Sequence, residues 1–416
     1  MKILHVCSNY YPAKGGPQYV MKHLSENLAK YYNDEVEVIT TDSLYGPELK
    51  IYKKIKPTSE IINDVKIKRL PFIRWQYPLL NFFNKVSAKV RKKSLPHFLL
   101  KHRWQLNSPA INNEMKKTSA HVIMVTTASY MFADYPLWRF KTKNAKPFIL
   151  YGAIHFKKKA DLNSVFINRA KACDLYVANT TFEEKKLIAL GVSPHKIATI
   201  GIGIEPQEFN CIKKEYFFLR HKYNVGDDEI LIAHVGRLSK GKGIFLLTEA
   251  FEKLYENNKA IKLLLAGTTT EDVLKIKKII FAKNLPVIVL EDFDESNKPL
   301  IFNALDIFVL ASQGESFGVV FLEAWACRKP VIGADLGAIA SLIDNNKNGF
   351  LFETDNVKSL AEKLNLLIQN KMLREEFGNN GYKKATSEYN WKTITEKYKN
   401  AYLKTIENFK NEYSTV

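Results

Sequence analysis

Short apolar runs rich in β-branched residues alternate with helical stretches along both halves of the chain. The strand candidates of the first half are MKILHVC, EVEVITT, HVIMVTT, PFILYGA, DLYVANT and KIATIGI, and those of the second half are ILIAHVG, IKLLLAG, PVIVLED, DIFVLAS and PVIGAD. Nearly continuous apolar strands are typical of parallel sheets that are buried on both faces. The stretches between them, such as QYVMKHLSENLAKYY, have helical periodicity. This alternation predicts an α/β protein with two doubly wound, Rossmann-like domains.

The length of 416 residues also favours two domains. We expect the boundary where GIGIEPQEF leaves the last strand of the first half, which gives an N-terminal domain over 1–205 and a C-terminal domain over 206–390. The polar and apolar pattern of residues 391–416 predicts a helix, which we expect to cross back to the first domain. Two such domains facing each other leave a cleft, and ligands of these sheets bind beyond the carboxyl ends of the strands.

Cysteine usage and apolar runs predict the compartment. The four cysteines are scattered and form no CxxC pair, which argues against a disulfide framework or a zinc site and favours a reducing compartment. The start MKILHVCSNYYP has too short an apolar run for a signal peptide. No run approaches eighteen apolar residues, so we expect no membrane-spanning segment and a cytoplasmic location.

The net charge of +19 is concentrated in the first half. Residues 1–200 hold 33 Lys and Arg against 14 Asp and Glu, whereas residues 201–416 hold 29 of each. Residues 51–117 alone hold 16 basic and 3 acidic residues. Such asymmetry indicates an anionic partner, which is a membrane surface, a nucleic acid or a phosphorylated substrate. No RNA- or DNA-binding module is recognisable, so we expect no nucleic-acid partner.

The basic segment also contains an apolar helical stripe. Its members lie on one side of a predicted helix, while Lys85 and Lys89 lie off it: Leu79, Phe82, Phe83, Val86 and Val90. One interpretation is a helix lying on the inner face of a membrane, which would make the protein peripheral. The other is an ordinary amphipathic helix that packs on its own domain.

The stretch HVGRLSKGKG, residues 234–243, follows a strand and opens a helix. Arg237 and Lys242 lie in this loop beside Gly241 and Gly243. Two glycines, two cations and a helix N-terminus predict an anion site that a diphosphate would fit. The alternative is a basic surface loop. The spacing is not that of a Walker loop.

The stretch GESFGVVFLEAWAC places two carboxylates eight positions apart, at a strand-to-helix turn and within the apolar helix that follows. Glu323 lies seven residues after Ser316 and so returns to the same side of the helix, where it would accept hydrogen bonds from a diol. The amides of Ser316, Phe317 and Gly318 would meet a phosphate or a sugar hydroxyl. The alternatives are a helix cap at Glu315 and a buried salt bridge at Glu323.

These motifs resemble a known family. GESFGVVFLEAWACRKPVIGAD resembles the E-x7-E motif of retaining glycosyltransferases, especially glycosyltransferase family 4 with the GT-B fold, and GRLSKGKG resembles that family's phosphate loop. YYPAKGGPQYVMKHLSENLA resembles its N-terminal glycine-rich loop, and GVSPHKIATIGIGIEPQEF resembles its interdomain segment, although Gly201-Ile202-Gly203 stands where Pro-Asn-Gly is common. The resemblance covers most of 1–45 and 145–400.

The resemblance implies a role for each motif. Glu323 would hold the ribose hydroxyls of a nucleotide-sugar donor and Glu315 the transferred sugar, while Arg237 and Lys242 would stabilise the diphosphate leaving group. Ser316, Phe317 and Gly318 would add donor contacts. Two glycines of the first domain would approach the donor, and a histidine after a first-domain strand would face the cleft: Gly15, Gly16 and His155.

We expect no metal and no cofactor, because the nucleotide sugar is a substrate and the cationic loop replaces a metal ion. Asp292-Phe293-Asp294 forms a DxD sequence, which a metal-dependent transferase of the GT-A fold would use. We interpret it instead as part of a loop near the nucleotide base.

Together these inferences predict a retaining, hexosyltransferase-like enzyme that acts on a glycan or lipid-linked glycan acceptor in cell-surface polysaccharide synthesis. Two alternatives remain: a GT-B enzyme of other chemistry, such as an epimerase or a phosphorylase, and a non-catalytic module that binds nucleotides or glycans. Transfer from a panel of nucleotide sugars distinguishes them.

Overall fold

The structure is a computed structural model, and it describes the chain with several gaps: 1–13, 15–44, 53–71, 76–91, 108–126, 131–139, 144–154, 156, 164–210 and 219–413. The chain divides into two compact units. The first unit comprises Met1–Asn179, Glu184–Ile200 and Ile394–Val416, and the second comprises Thr180–Glu183 and Gly201–Thr393.

The first unit contains one sheet of eight described strands. They are β1 (Lys2–Val6), β2 (Glu35–Thr41), β3 (Ser59–Ile62), β4 (Val65–Leu70), β5 (Val122–Thr126), β6 (Phe148–Tyr151), β7 (Leu175–Ala178) and β8 (Ile197–Thr199). Their order in the sheet is β3-β4-β2-β1-β5-β6-β7-β8. All neighbours are parallel except β3 and β4, which pair in antiparallel fashion.

The second unit contains a sheet of six strands. They are β9 (Ile230–Val235), β10 (Ile261–Gly267), β11 (Val287–Glu291), β12 (Ile307–Leu310), β13 (Val331–Ala334) and β14 (Gly349–Phe352). All are parallel, in the order β11-β10-β9-β12-β13-β14. The chain first extends the sheet on one side of β9 and then on the other, which is the doubly wound topology.

Helices connect the strands of both sheets. In chain order they are α1 (Gly16–Tyr32), α2 (Gln76–Arg91), α3 (Pro109–Lys117), α4 (Tyr135–Trp138), α5 (Ser164–Ala172), α6 (Thr181–Ala189), α7 (Ile244–Tyr255), α8 (Asp272–Ala282), α9 (Lys298–Ala304), α10 (Val319–Ala326), α11 (Gly337–Leu342), α12 (Val357–Gln369), α13 (Lys371–Glu388) and α14 (Trp391–Tyr413). Short 3-10 turns cover Met131–Asp134, Pro194–Lys196, Pro206–Phe209, Lys240–Lys242 and Glu295–Asn297.

Local sequence explains several helix ends. Ser108 accepts a hydrogen bond from the amide of Ile111 and so caps α3. The helix α1 has a proline in its first turn and ends at Asn33, whose backbone is left-handed with φ of 53°. Asn356 and Asn370 cap α12 and α13 through their side chains.

Each strand candidate of the sequence analysis corresponds to a strand of the structure, so the predicted α/β class with two doubly wound parallel sheets is confirmed. Three strands were missed. β3 and β4 form a hairpin whose two turn residues, Asn63 and Asp64, have positive φ angles. The third is the four-residue β14.

The first unit incorporates α14 into its core. His5 on β1 is fully buried, with Nδ1 2.7 Å from Ser25 Oγ on α1 and Nε2 3.0 Å from the Tyr402 hydroxyl on α14. Lys399 on the same helix donates to Asp34 at 2.6 Å. Because these groups lose water, their mutual hydrogen bonds fix how α14 packs on the first sheet.

In the second unit, the segment that follows β8 is hydrogen-bonded to the residues around the start of α14. The amide of Ile204 donates to the Tyr389 carbonyl at 2.7 Å, and the Trp391 amide donates to the Ile204 carbonyl at 3.1 Å. A Cβ atom on Gly203 would lie 2.5 Å from the Trp391 ring. Glycine is therefore required at this position of the Gly201-Ile202-Gly203 sequence, because the indole lies directly against the backbone.

Candidate active site

The two motifs of the second unit meet at the centre of its sheet. β9 and β12 are adjacent and parallel, so the loops that follow Val235 and Leu310 leave the same edge of the sheet side by side. At this point the strand order reverses direction, and ligands of doubly wound sheets bind there. The loop after β9 carries Arg237 and Lys242, and the loop after β12 carries Glu315.

Close backbone packing holds the two loops together. Gly243 caps the N-terminus of α7 with φ of 79°, and a Cβ atom there would lie 2.0 Å from the carbonyl oxygen of Ala311. The Gln313 amide donates to the carbonyl of Gly241 at 3.1 Å. A side chain at position 243 would separate the loops, so their contact depends on glycine.

Lys242 and Glu315 form an ion pair, with Nζ 2.5 Å from Oε1. The Lys242 side chain is 26% exposed and that of Glu315 is 10% exposed. Arg237 lies in the same loop as Lys242 and is exposed. The structure thus brings together the sequence-predicted cation and carboxylate, and Lys242 has a carboxylate partner in the position where we expected a diphosphate.

Glu315 does not cap the following helix. The N-cap of α10 is Gly318, with φ of 100°, and the helix receives no side-chain cap. The helix-cap alternative for Glu315 is therefore wrong. Phe317 is buried, with its ring centroid 5.6 Å from that of Tyr389. Ser316, which precedes Phe317 in the sequence, is half-buried. The donor contacts predicted for Ser316, Phe317 and Gly318 stay predictions.

Glu323 is 8% exposed and lies on α10. Its Oε1 accepts a hydrogen bond from Lys298 Nζ at 3.1 Å, so the buried salt bridge that the sequence left open is present. Its Oε2 is buried and has no hydrogen-bond partner among the described residues. One half of the carboxylate is thus held by protein, while the other half has unused hydrogen-bonding capacity.

Lys298 was missed by the sequence analysis. It begins α9 and also lies 3.0 Å from Glu295 Oε2. Burial lowers the pKa of Lys298, but the charges of Glu323 and Glu295 outweigh burial, so the net shift is upward. Lys298 therefore remains a cation beside Glu323 at neutral pH.

Two further features lie at the loop after β9. His234, which was also missed, is fully buried just before the loop, and burial lowers its pKa to about 4. The Lys240 amide donates to Asp272 Oδ2 at 2.8 Å, and the Leu238 amide donates to the Thr268 carbonyl at 3.0 Å. The segment after β10 therefore fixes the backbone that carries Arg237. These hydrogen bonds join residues that are far apart in the sequence, so local sequence patterns do not indicate them.

The DxD carboxylates have partners within the protein. Asp292 accepts from the amide and the hydroxyl of Thr269 at 2.9 and 2.7 Å, and these hydrogen bonds lower its pKa. Asp294 accepts from the Ser296 amide at 2.9 Å and caps a 3-10 turn. Across the described ranges, no group of three or more His, Cys, Asp and Glu residues is arranged to hold a metal ion.

The first-unit candidates lie at the N-terminus of α1. Gly15 is its N-cap, and a Cβ atom there would lie 2.4 Å from Gln18 Oε1. Gly16 is the first helical residue and has no atom within 4 Å of an added Cβ, which leaves open space beside its backbone. Nearby, buried Arg69 donates to the Tyr11 carbonyl at 2.8 Å. His155 lies outside the described residues, and its role stays a prediction.

The side chains of the apolar stripe of α2 are exposed in the described part of the chain. The relevant side chains are 41–75% exposed, and they are Leu79, Phe82, Phe83, Val86 and Val90. Lys85 and Lys89 are exposed as well. The neighbouring Lys92 and Lys93 lie outside the described residues. None of the helices in the described part of the chain is long and apolar enough to cross a membrane.

Part of the chain resembles known glycosyltransferases in sequence. Residues 216–384 match the family model described as Glycosyl transferases group 1. The capsular polysaccharide biosynthesis glycosyltransferase CapM of Staphylococcus aureus is 28% identical over 235 residues, which cover 56% of this chain and 61% of CapM. The match thus spans about three fifths of CapM.

Solved structures are similar over nearly the whole chain. Sucrose-phosphate synthase from Thermosynechococcus elongatus has a TM-score of 0.74 at 18% identity and covers 98% of this chain and 100% of its own. Anabaena HepE, solved in complex with UDP, has a TM-score of 0.72 at 18% identity and covers 96% and 99%. A second HepE structure contains UDP-glucose. The chain thus has the GT-B fold, and its residues 216–384 are similar to the glycosyl transferases of group 1.

Proposed function

We propose that the protein is a retaining glycosyltransferase. It transfers a sugar from a nucleotide-sugar donor to a glycan or lipid-linked glycan acceptor in the synthesis of a cell-surface polysaccharide. The observation that carries the proposal is the pairing of Lys242 with Glu315 where the strand order of the second sheet reverses. The group 1 match, the name of CapM and the UDP-glucose complex of HepE support the same reading.

Different parts of the site bind different parts of the donor. Arg237 and Lys242 bind the diphosphate, and Glu323 accepts hydrogen bonds from the ribose through its open Oε2. Glu315, released from Lys242 when the diphosphate binds, accepts hydrogen bonds from the transferred sugar. The amides of the residues before α10, together with Gly15, Gly16 and His155, complete the donor contacts in this proposal.

The chemistry is substitution at the anomeric carbon with retention. As the bond to the leaving phosphate breaks, negative charge builds on the diphosphate, and the two cations of the loop after β9 stabilise that charge. The leaving phosphate takes the proton of the acceptor hydroxyl, which then attacks from the same face. Two fixed cations make a metal ion unnecessary, so the reaction proceeds without divalent metal.

The helix α2 has the features of a helix that binds a membrane surface. The exposed apolar stripe of α2 and its neighbouring Lys85 and Lys89 match the two contributions that bind an interfacial helix, which are apolar burial and attraction to anionic lipid. We propose that α2 lies on anionic lipid and that the protein is peripheral on the inner face of the membrane. A lipid-linked acceptor would be presented there.

The test is transfer from a panel of UDP-, GDP- and ADP-sugars to a lipid extract of the source cells, with and without EDTA. We expect one donor to be consumed, release of its nucleoside diphosphate, and a product with the anomeric configuration of the donor by NMR. A change of configuration would contradict retention. Loss with EDTA that manganese restores would contradict the metal-free reaction.

The same assay separates the alternative functions. An epimerase would return an isomeric sugar without an acceptor, and a phosphorylase would need inorganic phosphate. A binding module would bind a nucleotide sugar without turnover. The Glu315→Gln variant serves as the matched inactive control, because it differs from the wild type by one atom and removes the charge of one carboxylate.

A further inference from the structure

Lys298 stands between two carboxylates that differ in their surroundings. Its Nζ lies 3.1 Å from Glu323 Oε1 and 3.0 Å from Glu295 Oε2. The side chain of Glu323 is 10% exposed and that of Glu295 is 56% exposed. An ion pair to an exposed carboxylate contributes little to stability, whereas a buried carboxylate depends on its counter-charge.

The position of Lys298 is not explained by the helix that it begins. Lys298 is the first residue of α9. The N-terminus of a helix carries partial positive charge, so a cation there is on the unfavourable end. The favourable interaction that holds Lys298 is instead its contact with Glu323, 25 positions later in the sequence.

The contact leaves Glu323 with one used and one unused oxygen. Oε1 accepts from Lys298, while Oε2 is buried and has no hydrogen-bond partner among the described residues. A buried acceptor without a donor is costly, and a ligand hydroxyl would remove that cost. Because the ammonium fixes one oxygen, it also fixes the direction in which the second oxygen points.

We infer that Lys298 is a positioning residue for the nucleotide: by holding Glu323 Oε1, it presents Oε2 to the ribose hydroxyls of the donor. The inference rests on the proposed function and adds to it the residue that orients the ribose acceptor. Lys298 acts through Glu323 and touches no reacting atom.

The test compares a ribonucleotide with its 2′-deoxy counterpart. Calorimetry first identifies which of UDP, GDP and ADP the wild type binds most tightly, and then measures that nucleotide and its 2′-deoxy form. The variants are Lys298→Met, which removes the ammonium, Lys298→Arg, which keeps a cation, and Glu323→Gln. The control is Lys283→Met, because Lys283 pairs with Glu252 at 2.6 Å elsewhere in the second unit.

We expect the wild type to prefer the ribonucleotide by about tenfold or more, the size of one hydrogen bond to a charged group. In Lys298→Met and Glu323→Gln, affinity for the ribonucleotide falls by a similar factor, while affinity for the 2′-deoxy form, which keeps only the 3′-hydroxyl, falls clearly less. Lys298→Arg restores most of the preference. Lys283→Met behaves as the wild type.

Three results would overturn the inference. Equal losses for both nucleotides in Lys298→Met would mean that the residue acts through stability alone, and unchanged affinities would mean that it has no role in binding. A wild type that binds both forms equally would remove the ribose contact but leave the proposed function standing. A wild type that binds no nucleoside diphosphate would remove the proposed function as well. Lys298→Gln carries the same test should Lys298→Met fail to fold.

Discussion

Lys242 and Glu315, 73 positions apart in the sequence, lie with Nζ and Oε1 2.5 Å apart. Each is the partner of the other before a ligand enters. In the proposed function, a diphosphate that binds Lys242 competes with Glu315 for the ammonium, and the released carboxylate then accepts hydrogen bonds from the transferred sugar. The proposal therefore predicts that binding of the diphosphate and positioning of the sugar are coupled through the contact between Lys242 and Glu315.

The first prediction concerns the competition between Glu315 and the diphosphate for Lys242. Glu315→Gln should leave nucleoside diphosphate affinity equal to or higher than that of the wild type, because Lys242 no longer has a competing carboxylate. Glu323→Gln should weaken the same affinity. Both should reduce transfer. Calorimetry with the free nucleotide measures the difference, and equal losses of nucleotide affinity in the two variants would contradict the division of roles.

The second prediction concerns the cations. Arg237→Ala and Lys242→Ala should each lower kcat/KM, because the charge on the leaving diphosphate is then less stabilised. The expected loss of transition-state stabilisation is about 2–4 kcal/mol, as for the loss of an oxyanion donor. Steady-state kinetics with the identified donor provides the measurement. Lys253→Ala, at an exposed position of α7, is the control. Near-normal kinetics in both loop variants would remove the diphosphate assignment.

The third prediction concerns Gly243, where φ is 79° and an added Cβ would lie 2.0 Å from the Ala311 carbonyl oxygen. Gly243→Ala should lower the Tm by about 5 °C or more, because a left-handed backbone and a clash with main chain each cost about 1 kcal/mol or more. Gly241→Ala, in the same loop, has no atom within 4 Å of its Cβ and should leave the Tm nearly unchanged. Differential scanning calorimetry tests the pair, and equal Tm values would refute the close packing.

The fourth prediction concerns acid stability. Burial lowers the pKa of His234 from 6.5 to about 4, so between these values the unfolded chain holds a proton that the folded chain does not. The resulting stabilisation is complete above pH 6.5 and is lost as the pH falls toward 4. It amounts to about 2 kcal/mol between pH 7 and pH 5.

Urea unfolding at pH 7 and pH 5 provides the measurement for His234. In His234→Gln, the free energy of unfolding should decrease by about 2 kcal/mol less between the two pH values than in the wild type. His221→Gln, at an exposed position of the second unit, should behave as the wild type. An unchanged pH dependence in His234→Gln would show that this side chain does not carry the effect.

The fifth prediction concerns α2. The wild type should bind anionic liposomes at low salt and release them as salt is added, since basic residues near such a surface contribute about 1 kcal/mol each. Lys85→Glu combined with Lys89→Glu should weaken binding by at least about thirtyfold. Nucleotide affinity should stay unchanged. Lys253→Glu with Lys278→Glu in the second unit is the charge-matched control, and a sedimentation assay without lipid preference would exclude a membrane role for α2.

The sequence revealed those parts of the site that depend on local order. A buried strand followed by glycines, cations and a helix has a periodic signature, so the loops carrying Arg237, Lys242 and Glu315 were found. The hairpin of β3 and β4 was missed because its alternating lysines resemble a basic surface segment. Its turn at Asn63 and Asp64 was the available signal.

Other parts of the site depend on distant contacts. The pairing of Lys298 with Glu323 joins two helices through the folded unit, and no spacing in the sequence indicates it. The complete burial of His234 is equally hidden, because a histidine at the end of a strand is compatible with either face. The helix-cap alternative for Glu315 was wrong because Gly318 is the N-cap of α10 and the Glu315 carboxylate pairs with Lys242.

The contact between His5 and Tyr402 also determines when the first unit can complete its fold during synthesis. Their positions differ by 397 residues, which a ribosome adding about 5–20 residues per second covers in roughly 20 to 80 s. Residues 201–393, which form nearly all of the second unit, are synthesised within that interval. The first unit therefore begins earliest but completes its core only when α14 emerges, whereas the second unit has its whole sheet available sooner.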